Sequence, residues 1–331
     1  MPQPLIDVQA LTRSFKIAEK GQKRKGFLRY FEAPIIKELM AVDELNFSIQ
    51  AGEKVAFIGP NGAGKSTTLK MLSGLLAPTS GTAHVDGLVP WEDTRALSRH
   101  IGLVFGQHSH LWPMLSVKDS FDLLAQIYDL DQVAYRDQRE KLIGLFGLEK
   151  LLFQQARSLS LGQRMRCDIA AALLHRPSVL FLDEPTIGLD VTAKALLRDH
   201  LNKLAHDFET TILLTSHDTD DIESICKRVI LIDHGKKLLD TTVAGLQRDF
   251  THIKTLRLVT EEPNPSFSHD HVMVAERGEH NLVLKVDVGQ IQIGKIVSLC
   301  LDQFRPLDIG IEDMPLEEVI KQIYARGAHS S

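Results

Sequence analysis

A chain of 331 residues, 44% hydrophobic and 24% charged, has material for one large domain and a small second one. Its net charge of −5 removes any global reason to expect nucleic-acid binding. Cys167, Cys226 and Cys300 are widely spaced and form no disulfide framework or metal pattern, which predicts a reducing compartment. No apolar run reaches bilayer-spanning length, and the opening MPQPLIDVQALTRSFKIAEK has no apolar core of signal-peptide length.

In chain order, LIDVQALTRSFKI alternates as a strand, and AVDELNFSIQAGEKVAFIGP supplies two more around Gly52. An insertion at about residues 17–40 separates them and carries KGQKRKGFLRYF, basic residues followed by aromatic ones. That cluster reads as a solvated loop or as a contact for acidic lipid head groups or nucleic acid. GKSTTLKMLSGLL is helical and stops at the turn APTSG. Helical apolar spacing over Trp112 to Leu151 predicts a helical subdomain within about 108–160. SVLFLDEP and TTILLTSHD are short, apolar, β-branched runs, each after a helical segment, as in the buried parallel strands of an α/β core. VILIDHGKKLLD predicts a hairpin turning at His234–Gly235. The first domain is thus expected over residues 1–250. Residues 251–331, with strands IKTLRLVT and NLVLKVDV and helices near Ile293–Phe304 and Leu316–Tyr324, predict a small α+β domain.

GPNGAGKSTT follows a predicted strand, opens a predicted helix and fits G-x-x-x-x-G-K-[ST]. The loop Gly59, Pro60, Asn61, Gly62, Ala63, Gly64 can close backbone N–H groups around phosphate oxygens. Lys65 can bridge the β- and γ-phosphates and Ser66 can ligate Mg²⁺, with Thr67 next in the motif. A glycine-rich turn capping a helix accounts for the glycines alone; the full pattern in this setting points to a nucleotide loop. In VLFLDEP, Asp183 can hold Mg²⁺ and Glu184 can polarise an attacking water as general base. Carboxylates at a strand end are also ordinary solubilising groups, so this pair gains its meaning from Lys65. In SLSLGQRMRCDIAAALL, Ser160 reads as an N-cap and Gly162 leaves the backbone bare at a helix N-terminus. That is a second phosphate cradle in one chain. His108 and His110 of HSH are too few for a structural zinc site, and Cys167 reads as a small buried side chain.

These motifs, in this order, resemble the ATP-binding subunit of an ABC transporter over about residues 5–240. The resemblance rests on the P-loop, Gln107 in VFGQ, LSLGQ at Leu159–Gln163, Asp183 and Glu184, GLD at Gly188–Asp190, and His217 in TSHD. It implies a P-loop NTPase core with a helical subdomain, binding ATP and Mg²⁺. It implies two such domains meeting head to tail, so that Ser160, Gly162 and Gln163 face the ATP on the other chain's P-loop. By the same resemblance, Gln107 would touch Mg²⁺ or the attacking water, His217 the γ-phosphate, and Asp190 the dimer interface. Phe15 would stack on adenine, with Tyr30 or Phe31 of the insertion as alternatives, and core packing is the rival role for Phe15. Leu161 departs from the family pattern by standing where a glycine is typical.

The tail DIGIEDMPLEEVIKQIY resembles the C-terminal appendage of drug-resistance-type (ABC-2) exporter ATPases. The expectation is a homodimeric ATPase, peripheral on the cytoplasmic face of the cell membrane. It would drive export through a separate integral membrane permease that buries apolar surface beside the Gln107 loop, near Leu111 and Trp112, with no nucleic-acid partner. An importer subunit, a soluble ABC ATPase acting on ribosomes or nucleic acid, and an inactive regulatory binder are the alternatives. A single P-loop without sustained heptads weighs against the second, and intact Lys65, Asp183 and Glu184 weigh against the third.

Overall fold

The structure is a computed structural model that describes residues 3–19, 35–106, 109–207, 210–250 and 252–328. They form two compact units, Met1–Asp240 and Thr241–Ser331.

In the first unit, β1 (Ile6–Glu19) and β2 (Ile35–Ile49) pair antiparallel, with Ile6 opposite Ile49 and Glu19 opposite Ile35. Strand structure therefore reaches further into the 17–40 insertion than the sequence suggests. Ile17, Leu39 and Met40 are exposed there, so no half-buried alternation marks these ends. The basic cluster, Tyr30 and Phe31 lie outside the described residues. The other edge of β1 pairs with β4 (Ser80–Val85).

A second sheet holds β3 (Lys54–Ile58), β5 (Ile101–Phe105), β6 (Val179–Asp183), β7 (Thr211–Thr215), β8 (Arg228–Asp233) and β9 (Lys236–Thr242). Its order is β5-β6-β7-β3-β8-β9, with β5, β6, β7, β3 and β8 parallel. Both faces of such a sheet are covered, so its inner strands are buried and apolar at their centres, as in β7, which is buried along its whole length. Between the two sheets lies a core in which Ile6, Leu11, Leu45 and Phe47 meet Val55, Phe57, Phe181 and Ile230. The rings of Phe47 and Phe57 are 5.6 Å apart. At the β8–β9 turn, His234 and Gly235 have φ of 46° and 80°, the left-handed pair that a two-residue primed turn requires.

Helix α1 (Lys65–Leu72) follows β3, and α2 (Thr94–Leu97) is a single turn before β5. Helices α3 (Val117–Ile127) and α4 (Gln132–Phe146) fall in the expected helical region. The Ser116 hydroxyl caps α3 by accepting from Asp119 N, and Asp131 caps α4 in the same way. Fully buried Phe121 and Phe146 anchor the pair. Helices α5 (Leu161–Ala172), α6 (Val191–Asp207) and α7 (Thr219–Ile225) complete the unit. Because the strands are parallel, the loops leaving β3, β6 and β7 emerge along one edge of the sheet, where such folds place ligands.

The second unit opens with α8 (Val243–Phe250) and holds β10 (Ile253–Val259), β11 (Val272–Arg277), β12 (Asn281–Asp287) and β13 (Asp308–Asp313). The strands form one antiparallel sheet in the order β11-β12-β10-β13. Helix α9 (Ile293–Phe304) buries Ile296, Cys300 and Phe304 against Leu256, Leu258, Leu284 and Val286. Helix α10 (Leu316–Ala328) packs with α8, which is why the division falls after Asp240 and not at 250/251. Among the described residues no helix is long and apolar enough to cross a membrane.

Candidate active site

The loop after β3 must bend sharply to open α1, and two glycines permit it. A Cβ on Gly59 would lie 2.5 Å from the Ile232 carbonyl oxygen, and Gly64 sits at φ 103° with its Cβ position 2.4 Å from the Ala41 oxygen. Neither site accepts a side chain. Gly235 N donates to Ala63 O, tying this loop to the β8–β9 turn. Lys65 is 7% exposed, and its ammonium donates to the carbonyls of Gly59 (2.6 Å) and Pro60 (3.2 Å). Burial lowers its pKa, and the charges of Glu184 and Asp183 oppose that shift.

Asp183 ends β6 directly opposite Thr215, which ends β7. The Thr215 hydroxyl donates to Asp183 Oδ1 at 2.6 Å, and Ser66 Oγ lies 3.4 Å from the same oxygen. The next residue, Glu184, has φ 53°, a left-handed conformation that costs a non-glycine residue roughly 1–2 kcal/mol. Its N–H donates to Thr215 O and Oγ1, both at 3.1 Å. Thr215 was not legible as a site residue; its signal is a hydroxyl in parallel register with Asp183.

His217 Nε2 lies 3.0 Å from Glu184 Oε1. That distance suits an ion pair, but the contact lacks hydrogen-bond geometry and Oε1 is otherwise without a partner. Burial raises the Glu184 pKa above the ordinary carboxylate range; His217 and Lys65 oppose the shift and Asp183 reinforces it. Five expected site residues therefore converge: Lys65, Ser66, Asp183, Glu184 and His217. Ser66 Oγ and Asp183 Oδ1 are adjacent hard oxygen donors, which fits Mg²⁺, an ion usually held by one or two protein oxygens beside phosphate.

Gln107 and His108 lie outside the described residues. Just beyond them the loop is fixed to α5, because Ser109 Oγ (2.8 Å) and His110 N (2.7 Å) both donate to Asp168 Oδ1. His110 Nε2 meets the Leu103 carbonyl. Phe15 is half-buried, with the Arg13 guanidinium 4.7 Å from its ring centre, and stands outside the core cluster. Cys167 is fully buried and its thiol is pushed up to about 12 by desolvation, which makes it inert.

The second cradle is built at the start of α5. Ser160 Oγ accepts from Gln163 N (3.3 Å) and Gln163 Oε1 accepts from Ser160 N (3.0 Å), a reciprocal capping box. The remaining first-turn N–H groups have no partner within the helix and point outward from its N-terminus. A Cβ on Gly162 would lie 2.9 Å from Ala193 Cβ, so this residue must be small. Leu161 is accommodated because its Cδ2 packs beside Gly188, 3.2 Å from that residue's Cβ position. Asp190 caps α6, with its Oδ1 accepting from Ala193 N at 2.8 Å.

Residues 42–187 match the protein family described as ABC transporter. The chain is 32% identical over 200 residues to the ABC transporter ATP-binding protein NatA of Bacillus subtilis (strain 168), covering 60% of this chain and 81% of that protein. It is 28% identical over 280 residues to the linearmycin resistance ATP-binding protein LnrL of the same organism, covering 84% and 89%. Among solved structures, an ATP-binding cassette dimer in a post-hydrolysis state with ADP and Pi aligns with a TM-score of 0.60 at 25% identity, over 72% of this chain and 98% of that one.

Proposed function

Since this chain belongs to the ABC transporter family of ATP-binding proteins, we propose that it hydrolyses ATP as the motor subunit of an exporter, working as a homodimer on a separate integral membrane permease. The convergence of Lys65, Ser66, Asp183, Glu184 and His217 at the ends of β3, β6 and β7 carries the catalytic part. The relatives are transporter subunits, which disfavours a soluble ABC ATPase acting on ribosomes or nucleic acid. Export is favoured because the match to the linearmycin resistance protein covers 84% of this chain and so must run past Asp240 into the second unit.

Backbone N–H groups of Asn61–Gly64 would surround the phosphates, and the Lys65 ammonium would exchange its carbonyl partners for phosphate oxygens. Mg²⁺, held by Ser66 and Asp183 with Gln107 as the expected further ligand, would neutralise charge on those oxygens. Glu184 would take a proton from water as the water oxygen bonds to the γ-phosphorus and the bond to the ADP oxygen breaks. His217, already beside Glu184, would donate to the γ-phosphate. Phe15, half-buried, would receive the adenine. Lys65→Ala should weaken ATP binding itself, read by titration with a fluorescent nucleotide; unchanged affinity would remove Lys65 from the phosphate site.

The permease contact can be narrowed. Leu111 itself is only 4% exposed and belongs to the core, so the apolar surface near it must come from other side chains. Trp112 is half-buried, while Met114 and Phe153 are 63% and 80% exposed. Backbone bonds from Lys118 N to Leu152 O and Arg157 N to Pro113 O bring their segments side by side. Apolar surface there should hold the protein on native membranes through a salt wash, since hydrophobic contact is not screened. Protein-free anionic liposomes at that salt should not retain it. Trp112→Ala should release it more than neutralising Lys23, Arg24 and Lys25. Equal retention on liposomes would identify direct lipid binding, and no membrane retention would remove the permease.

A further inference from the structure

We propose that Asp221 is a positioning residue that fixes Glu184 and His217 in one frame, an assignment that rests on the catalytic reading of those two residues. Asp221 lies on α7 with no solvent exposure. Its Oδ2 accepts from two hydroxyls, Thr186 Oγ1 and Ser216 Oγ, the latter at 2.8 Å. Its Oδ1 accepts from Arg198 Nε of α6 at 2.6 Å. Thr186 and Ser216 are each 2% exposed.

A buried carboxylate needs compensation, and Arg198 alone would supply the charge. The two hydroxyls add something different. Thr186 is two residues beyond Glu184, and Ser216 immediately precedes His217. One carboxylate oxygen is thus the common acceptor of both loops. The 3.0 Å approach of His217 Nε2 to Glu184 Oε1 depends on how these loops sit against each other. Glu184 also occupies a left-handed conformation, which persists only where its surroundings over-determine it. Its segment is held at one end by Thr215 and at the other by Thr186 on Asp221. Asp218 braces the far side of His217, bound by Lys194 (2.6 Å) and Arg198 (3.0 Å). Releasing Thr186 or Ser216 should let the general base drift while leaving the phosphate loop untouched. Displacements of order 1 Å cost up to about a hundredfold in rate.

The test compares Thr186→Val, which keeps the shape and deletes the donor, with Thr186→Ser, which keeps the donor. Steady-state hydrolysis, fluorescent-nucleotide affinity and thermal melting are measured on the full-length protein with MgATP. We expect Thr186→Val to lose about tenfold or more in kcat with KM and affinity within about threefold, and Thr186→Ser to restore most of the rate. Thr186→Val within about twofold of wild type, or Thr186→Ser impaired equally, overturns the proposal. If Thr186→Val shows no cooperative melt, Ser216→Ala decides by the same readouts. Glu184→Gln separates the two readings. If that variant hydrolyses normally, the catalytic reading itself fails; if it is inactive while Thr186→Val is unimpaired, only Asp221 loses its role.

Discussion

Glu184→Gln should abolish turnover while preserving nucleotide binding. Removing a general base typically costs ~10²–10⁴-fold. The amide has the shape of the carboxylate but cannot accept the water proton, and Lys65, Ser66 and Asp183, the proposed holders of the phosphates and Mg²⁺, are left unchanged. The substitution should also be well tolerated by the fold. Burial raises the Glu184 pKa, so the folded state disfavours its charged form. By linkage, such a group stabilises the fold below its unfolded pKa, and that contribution disappears as pH rises through the folded value. Wherever the carboxylate is ionised it is therefore a liability that a neutral glutamine removes, and the variant should melt no lower than wild type. Because the γ-phosphate is never cleaved, ATP should drive the variant into a stable dimer, visible by gel filtration. Turnover within a few-fold of wild type would strip Glu184 of the base role.

Much of this site is legible in sequence because its parts are local. A P-loop is one turn between one strand and one helix, and Asp183 and Glu184 close an apolar strand. What brings them together is parallel register, which puts Thr215 opposite Asp183 and has no local signature. Asp221 escaped for a related reason. It sits in DTDD, a run that reads as a solvated helix start, and only packing of α6 against α7 shows it fully buried. In the second unit, β10 alternates at Leu256, Arg257 and Leu258, and β12 is marked instead by its buried apolar run Leu282–Leu284. Strand β11 is largely exposed, and β13 carries Gly310 and three acidic residues, so neither shows the buried alternation that marks a strand. Leu161 was legible as a departure, but its resolution was not: the space for it comes from Gly188, which follows β6 and lies beyond α5 in the chain.

A mixture of two inactive variants should regain activity, because the α5 cradle is expected to serve the partner's ATP. Within one chain, Ser160 caps its own helix and shares no bond with Lys65, Asp183 or Glu184. Its hydroxyl and the first-turn N–H groups form an anion site without an anion source in the same chain. A head-to-tail dimer would supply one, the ATP on the opposing P-loop, with oriented donors where charge develops. Ser160→Arg should therefore abolish hydrolysis although it leaves the P-loop and Glu184 unaltered. It costs one N-cap, about 1 kcal/mol, so the fold should survive. Lys65→Ala should abolish hydrolysis from the other side of the site. In a heterodimer of the two, one composite site carries both lesions and the other carries neither. Equal mixing with free exchange makes half the dimers mixed, so activity should return to about a quarter of wild type when the two sites fire independently. Each variant alone should stay near zero. Normal hydrolysis by the Ser160→Arg homodimer would show that α5 does not reach the partner's nucleotide and that the ATP site is complete within one chain.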